Sequence, residues 1–369
     1  MRFSFFCPLV NADLCLACEF NISEAGLVCK TFLTRMEAFS ASELTQKMPK
    51  NVKLLAVVSR PEFLPANLGS LIMGFAWATN PSLNLANFVI PAIISFGIIT
   101  VVSAFGAQLN TMSDYELDSR DSRKQRLVNA MDYLGRSKVK LSIIIEFLLG
   151  VVLVSFLLFI QWKPILLFLW IGGVFLAYAY STPPLRLKSR SWLAFCSLLL
   201  VLCVLPVLFV YYTFASELDP LFLLFLTGQA LTVYAIIIPT EIRDYFGDKA
   251  MKVETLTVKL GLVKASLLGI VLLIAGGLLS GTAFFLKLTF ELQTALSIFL
   301  FVMAVADYVV LREFKKLYLM SREHSYSKDQ NSTAQKIVAL AAHNPKWINI
   351  VSQAIVFMSI MLLVGKFYF

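Results

Sequence analysis

The sequence predicts an all-α integral membrane protein of about nine transmembrane helices, with its N-terminus in the cytoplasm. Three observations lead there: the composition, the rhythm of apolar runs, and the placement of basic residues. Of 369 residues, 58% are hydrophobic and 15% charged, with a mean hydropathy of +0.77. Those values lie well outside the range of water-soluble domains. A net charge of +9 could suit nucleic acid in a soluble protein. In a membrane protein the position of each Lys and Arg matters more than their sum, and no nucleic-acid partner is expected.

Apolar runs long enough for a bilayer core of about 30 Å fall at roughly 63–78, 88–109, 141–160, 164–181, 192–213, 221–240, 262–284, 292–311 and 348–367. The first follows Arg60-Pro61, and its Pro65, Gly69 and Gly74 suit close packing against other helices. With the gaps numbered alternately, 29 of the 32 Lys and Arg fall in the N-terminal segment and in loops 110–140, 182–191, 241–264 and 312–347. Only Lys163, Lys287 and Lys366 fall in the other set. That asymmetry puts the N-terminus and the long loops in the cytoplasm and the C-terminus outside. The outer loops are short, so chemistry is expected on the cytoplasmic side.

Residues 1–52 read as a poorly defined extension, ahead of a membrane domain over 53–369. Met1 to Val10 is short for a signal peptide and lacks a clear small-residue cleavage site. Cys15-x2-Cys18 has zinc-knuckle spacing, but Cys7 and Cys29 are irregularly placed and the segment has no His. Neither a zinc site nor a disulfide is expected there, and a start at Met36 or Met48 would remove most of the segment. Cys196 and Cys203, at i and i+7, read as packing residues.

Directly after the second run comes NTMSDYELDSRD, residues 110–121. Asn110, Asp114 and Asp118 stand at i, i+4 and i+8, so on a continuing helix they share one face, about 6 Å apart. Such a face is either a solvated turn or a cation site. Oxygen donors at this spacing suit Mg²⁺, which is usually held by one or two carboxylates plus substrate phosphates. After the sixth run, PTEIRDYFGDKAMKVETLTVKLG sets Glu241, Asp244 and Asp248 on one helical face at i, i+3 and i+7. The acidic cluster thus recurs four spans later, which suggests two pseudo-equivalent halves offering carboxylates to a shared cavity. Arg123, Lys124 and Arg126 follow the first cluster; Arg243, Lys249 and Lys252 accompany the second. Metal-grade acids with bases alongside fit a diphosphate. A third loop, AYAYSTPPLRLKSR, ends the fourth run with two prolines and brings Tyr180, Arg186 and Lys188 to the boundary. By itself it reads as a turn with a basic anchor.

Taken together, the three loops resemble the UbiA superfamily of intramembrane prenyltransferases. The matching stretches are Asn110-x3-Asp114-x3-Asp118, then Tyr180-Ser-Thr-Pro-Pro-Leu-Arg-Leu-Lys188, then Asp244-x3-Asp248 with Thr255-Leu-Thr-Val-Lys-Leu-Gly261. The resemblance covers residues 53–369, with each motif in its expected loop and order. Three departures stand out: Thr111 replaces the usual Asp, Arg126-Leu127 replaces Arg-Pro, and Glu241 sits where Asp or Asn is common.

The resemblance implies nine helices around a central cavity that opens to lipid. It implies Mg²⁺ held by Asp114, Asp118, Glu241, Asp244 and Asp248, with Asn110, Asp114, Asp118, Asp244 and Asp248 as the catalytic set. The diphosphate of a prenyl donor would meet Lys124, Arg126, Tyr180, Lys188 and Lys249. The allylic C–O bond would break with carbocation character, and a lipophilic acceptor would trap the cation. An aromatic, quinone-type ring is the acceptor preferred; a non-aromatic lipid, a tetrapyrrole or a carotenoid is the alternative. His324 and His343 are expected to take no catalytic part. A polytopic transporter is the competing class, but transporters place acids near the bilayer midplane, whereas these lie at the boundaries. Glu146 and Asp307, inside spans, are expected to snorkel or to pair with loop cations, and 312–347 to form a polar, mobile cover.

Overall fold

A computed structural model describes residues 49–61, 64–79, 85–121, 124–287 and 293–368, and among them every regular element is helical. In chain order they are α1 (Lys50–Val58), α2 (Leu64–Ala78), α3 (Leu85–Ser113), α4 (Gln125–Ile160), α5 (Pro164–Ser181) and α6 (Trp192–Phe214). Then come α7 (Pro220–Ala250), α8 (Leu262–Lys287), α9 (Gln293–Tyr326), α10 (Gln330–Ala341) and α11 (Asn344–Tyr368). The chain divides into two compact units, Met1–Lys53 and Leu54–Phe369. Cys7, Cys15, Cys18, Cys29 and Arg123 lie outside the described residues.

Seven stretches among the described residues are long and apolar enough to cross a membrane: six belong to α3 through α8, and the seventh is Gln330–Leu363. The protein is a multi-pass integral membrane protein. The expected spans 63–78 and 292–311 run into residues outside the described set, so the count of nine rests on the sequence.

Local chemistry explains where the helices begin and bend. Pro164 and Pro220 open α5 and α7, where a missing N–H costs nothing. Asp219 caps α7 by accepting the Leu221 N–H at 2.8 Å. Gly135 (φ 71°, ψ 154°) interrupts α4, a conformation that glycine reaches without a Cβ penalty. The turns before it bury Val128, Met131 and Leu134; beyond it α4 becomes a span. α6 widens to a π-turn over Leu200–Val204, immediately before Pro206, which has no N–H to give the ladder.

The close packing expected of α2 is present: a Cβ on Gly69 or Gly74 would fall 2.9 Å from the carbonyl of Ser352 on α11 or of Val207 on α6. On the membrane face opposite the acidic loops, three lysines are tied into the structure. Lys163 Nζ donates to the carbonyls of Tyr212, Thr213 and Ala215 at 3.0–3.2 Å. Lys366 Nζ donates to those of Ala76, Trp77 and Thr79 at 2.8–2.9 Å. Lys287 pairs with Asp219 at 2.5 Å and lies 5.4 Å over the Trp77 ring.

Two expectations are corrected. The 312–347 segment is built structure: α9 runs on to Tyr326, and α10 buries Thr333, Ile337 and Ala341, four residues apart, in a core with Ile242 and Tyr245 of α7. The stripe has helical period, but the surrounding polar residues mask it. Among the described residues Glu146 and Asp307 form no ion pair with loop cations. Glu146 instead accepts from Gln108 Nε2 of α3 at 2.6 Å, while half-buried Asp307 lies against Gly277, where an added Cβ would fall 2.7 Å from Oδ2. Cys203 is buried and Cys196 exposed.

Candidate active site

α3 ends at Ser113, the chain bends at Asp114 (φ −97°, ψ 3°), and one further turn runs over Tyr115–Asp118. Two backbone bonds carry the helix across the bend: Asp114 N–H to Asn110 O at 2.9 Å and Asp118 N–H to Asp114 O at 2.7 Å. Asn110, Asp114 and Asp118 therefore stay in register, as their spacing requires.

Each aspartate is met by cations from other segments. The turn after α5 delivers Lys188, 8% exposed, into an ion pair with Asp114, with its Nζ also 3.4 Å from Asn110 Oδ1. Burial pulls the Lys188 ammonium below the usual lysine range, against the Asp114 carboxylate, which supports its charge. Arg186 stands 3.5 Å from Asp114, and the Ser181 hydroxyl donates to Asn110 Oδ1 at 3.2 Å. Asp118, 2% exposed, pairs with Lys124 at 2.6 Å and with Arg60 at 3.4 Å. Arg60 (φ 49°) and Arg186 (φ 36°) both occupy the left-handed region. Such backbone strain persists where the surroundings over-determine it, and it clusters at functional sites.

The second acidic set lies on the last turns of α7. That helix has 31 residues, a length of about 46 Å, so its final turns outrun a hydrocarbon core of about 30 Å. Glu241 accepts from Tyr234 Oη (3.1 Å) and, through its other oxygen, from Thr257 Oγ1 (2.7 Å) and Thr257 N–H (3.3 Å). Asp244 is held by its neighbour Arg243 at 3.0 and 3.1 Å. Asp248 is half-buried, and although its backbone carbonyl accepts from Val253 N–H at 2.9 Å, its carboxylate has no hydrogen-bond or ion-pair partner among the described residues. The carboxylates of Asp244, Glu241 and Asp114 act on it, with the Lys124 ammonium opposing them. The Tyr180 hydroxyl lies within electrostatic range of Asp114 from the first acidic set, of Glu241 and Asp248 from the second, and of Arg60. Phe195 and Tyr234 meet edge-to-face nearby, with centroids 4.4 Å apart.

Most of the residues singled out from sequence meet here: Asn110, Asp114, Asp118, Lys124, Tyr180, Lys188, Glu241, Asp244 and Asp248. Arg126 is exposed on the first turn of α4, and Lys249 is exposed with its ammonium 5.7 Å over the Tyr245 ring; neither joins the cluster. Glu241 has both oxygens engaged with protein donors. Thr111 does not stand in for a missing acid: it is 1% exposed, and its hydroxyl donates to the Val58 carbonyl at 3.2 Å. Sequence reading passed over Arg60 and Arg186 as site residues. The advance signals were the Arg60-Pro61 step at the first boundary and, for Arg186, its place within the Tyr180–Lys188 stretch.

Among the described residues no three His, Cys, Asp or Glu side chains are arranged to hold a metal ion; protein cations occupy Asp114 and Asp118. The donors nonetheless fit a hard cation. All are oxygens, the Asp248 carboxylate lacks a partner among the described residues, and like charges crowd around it.

A polytopic helical body carrying two acidic sets with attendant cations defines a membrane protein with a site suited to a hard cation and an anionic group. The profile of the UbiA prenyltransferase family matches residues 67–327, and the chain belongs to that family. Solved structures share the fold. A UbiA homologue from Archaeoglobus fulgidus bound to DMAPP and Mg²⁺ is 16% identical, with TM-score 0.55 over 82% of this chain and 98% of that one. The same homologue bound to GPP and Mg²⁺ is 17% identical, with TM-score 0.54 over 82% and 99%. A digeranylgeranylglyceryl phosphate synthase is 17% identical, with TM-score 0.56 over 87% and 100%. No curated protein matches the sequence.

Proposed function

We propose that the protein transfers a prenyl group from a prenyl diphosphate to a lipophilic acceptor, in the presence of Mg²⁺, at the boundary where α3, the loop after α5 and the end of α7 meet. The observation that carries this reading is that Tyr180 lies within electrostatic range of Asp114 from one acidic set and of Glu241 and Asp248 from the other, with the Asp248 carboxylate lacking a hydrogen-bond or ion-pair partner among the described residues. Mg²⁺ would be held by Asp114, Asp118, Asp244 and Asp248, and it would supply positive charge to the departing diphosphate. The Mg²⁺ and prenyl diphosphate bound by the Archaeoglobus homologue support the choice of cation and of donor class.

The chain's own groups perform the rest. Lys188, Lys124, Arg60 and Arg186 bring four cations to the phosphate charge, each already aimed at the acidic face. Glu241, clamped by Tyr234 and Thr257, fixes the last turns of α7 and so the bearing of Asp244 and Asp248. As the allylic C–O bond opens, Tyr180, Phe195 and Tyr234 offer rings that exclude water from the developing cation. The preferred acceptor is an electron-rich aromatic ring of the quinone-precursor type, which needs only weak or late base assistance. His324 is held by Thr333 Oγ1 at 2.7 Å and by the Phe246 ring, consistent with a supporting role.

The test is diphosphate release from labelled geranyl diphosphate in liposomes with candidate acceptors. Activity is expected to require Mg²⁺ and to vanish with chelator. Asp114→Asn and Asp248→Asn should each remove most of it, and the double variant should be little worse than either, because groups acting as one unit are non-additive. Undiminished turnover in both single variants would overturn the assignment.

A further inference from the structure

Gln108 and Glu146 meet between α3 and α4, two residues before Asn110 on one helix and within the apolar run of the other. Gln108 is 1% exposed; its Nε2 lies 2.6 Å from Glu146 Oε1, 2.9 Å from Ser59 Oγ and 3.1 Å from Ser142 Oγ. The Ser59 hydroxyl gives its hydrogen to the Leu55 carbonyl at 2.9 Å, so it accepts from Gln108. Two atoms of the cluster are buried without a hydrogen-bond partner: Gln108 Oε1 and Glu146 Oε2. While the carboxyl is ionised both are acceptors, and neither can satisfy the other. No ion pair among the described residues includes Glu146; Arg60 is turned to Asp118, and Lys138 and Lys140 of α4 are exposed. An unpaired carboxylate at such a place is among the most costly groups a membrane protein can carry.

We propose that Glu146 is held as the neutral acid, its Oε2 hydroxyl donating to Gln108 Oε1 while Gln108 Nε2 donates back to Glu146 Oε1, and that this pair positions the Ser59–Arg60 corner beside Asp118. A single proton satisfies both orphan atoms and leaves the second Gln108 N–H for Ser59, while the Ser142 hydroxyl, 3.1 Å from Nε2, is free to donate to Glu146. Ser59 adjoins Arg60, whose left-handed backbone needs support from its surroundings. The Thr111 bond to the Val58 carbonyl is a second tie from α3 to the same corner. Glu146 and Gln108 touch no substrate; they act through Arg60. Only the link to diphosphate rests on the function proposed above.

The test compares the full-length wild type with Glu146→Gln and Glu146→Leu in detergent. Infrared spectra at pH 8 should show a carboxylic-acid carbonyl band in the wild type that Glu146→Gln removes. A glutamine at 146 can still donate to Gln108 Oε1, so amide exchange over residues 55–61 should match the wild type, whereas Glu146→Leu should speed it about tenfold. Geranyl diphosphate with Mg²⁺ should bind Glu146→Gln within about twofold of the wild type and Glu146→Leu about fivefold more weakly. An infrared spectrum unchanged by Glu146→Gln would overturn the neutral acid, and that arm needs only a conservative variant. Exchange over 55–61 unmoved in Glu146→Leu, or equally fast in Glu146→Gln, would overturn the positioning role. A wild type that fails to bind geranyl diphosphate would count against the prenyl diphosphate reading, with the infrared and exchange results still deciding this one.

Discussion

Lys188 and Asp114, 74 residues apart in sequence, share an ion pair in which each side chain is only about a tenth exposed. The pair joins the loop after α5 to the end of α3, so it links two of the three motifs. A buried pair is weak grounds for stability as a whole, but loss of one partner strands the other's charge.

Lys188→Met should therefore destabilise the protein by about 3 kcal/mol, and the double variant Asp114→Asn/Lys188→Met should recover most of that. Thermal unfolding in detergent measures both. Transfer activity should stay lost in the double variant, because the site has then given up an acid and a base together. A double variant no more stable than Lys188→Met would mean that the pair is not the source of the loss.

Glu241 provides a contrast with Asp248. Its oxygens are engaged by Tyr234 and Thr257, so Glu241→Gln, which keeps an acceptor for Thr257, should lower turnover less than tenfold. Asp248→Asn should abolish it. Thr257→Val should cost about 1–3 kcal/mol of stability, with a raised Michaelis constant for geranyl diphosphate. Equal losses in Glu241→Gln and Asp248→Asn would make Glu241 a metal ligand after all.

Asp219 gives a pH dependence on the opposite face. Burial alone would push its carboxyl up, but the hydrogen bonds from Lys287 and from the Leu221 N–H hold it below the usual range. A folded value below the unfolded value of about 3.9 means that the contribution is complete above that pH and is lost as pH falls through the folded value. Asp219→Asn should thus lower the unfolding temperature at pH 7, and the gap should shrink as pH falls below about 3.9. A gap that stayed constant as pH fell would locate the effect elsewhere.

Orientation follows from the charge split. In a cysteine-free background, Trp162→Cys should react with an impermeant maleimide in intact cells, and Lys328→Cys only after permeabilisation. Labelling of both from one side would mean that a span has been miscounted.

Much of this was legible before any coordinates. The spans beginning at 164, 192 and 262 start where the apolar runs start, because membrane helices must satisfy their backbone internally and announce themselves by length. The i, i+4, i+8 spacing of Asn110, Asp114 and Asp118 survived the bend at Asp114. The partners of those acids were not legible. Arg60 and Arg186 reach the site through left-handed backbone that no periodicity encodes, while Arg126 and Lys249, nearer in sequence to the acids, point away. Glu241 and Asp248 are both acids in the sequence, and what separates them is Tyr234 and Thr257, the latter on the short helix Leu256–Leu260 that folds back. The Glu146–Gln108 contact joins two helices at a depth where sequence offers only a lone charge.

The carbonyls that Lys366 holds on Ala76, Trp77 and Thr79 lie almost 290 residues earlier in the chain. During synthesis α2 leaves the ribosome among the first described helices and α11 last, so the end of α2 waits through the production of everything between them. Until Lys366 is made, those carbonyls lack this donor. The joint between the end of α2 and α11 can therefore form only after translation has passed Lys366.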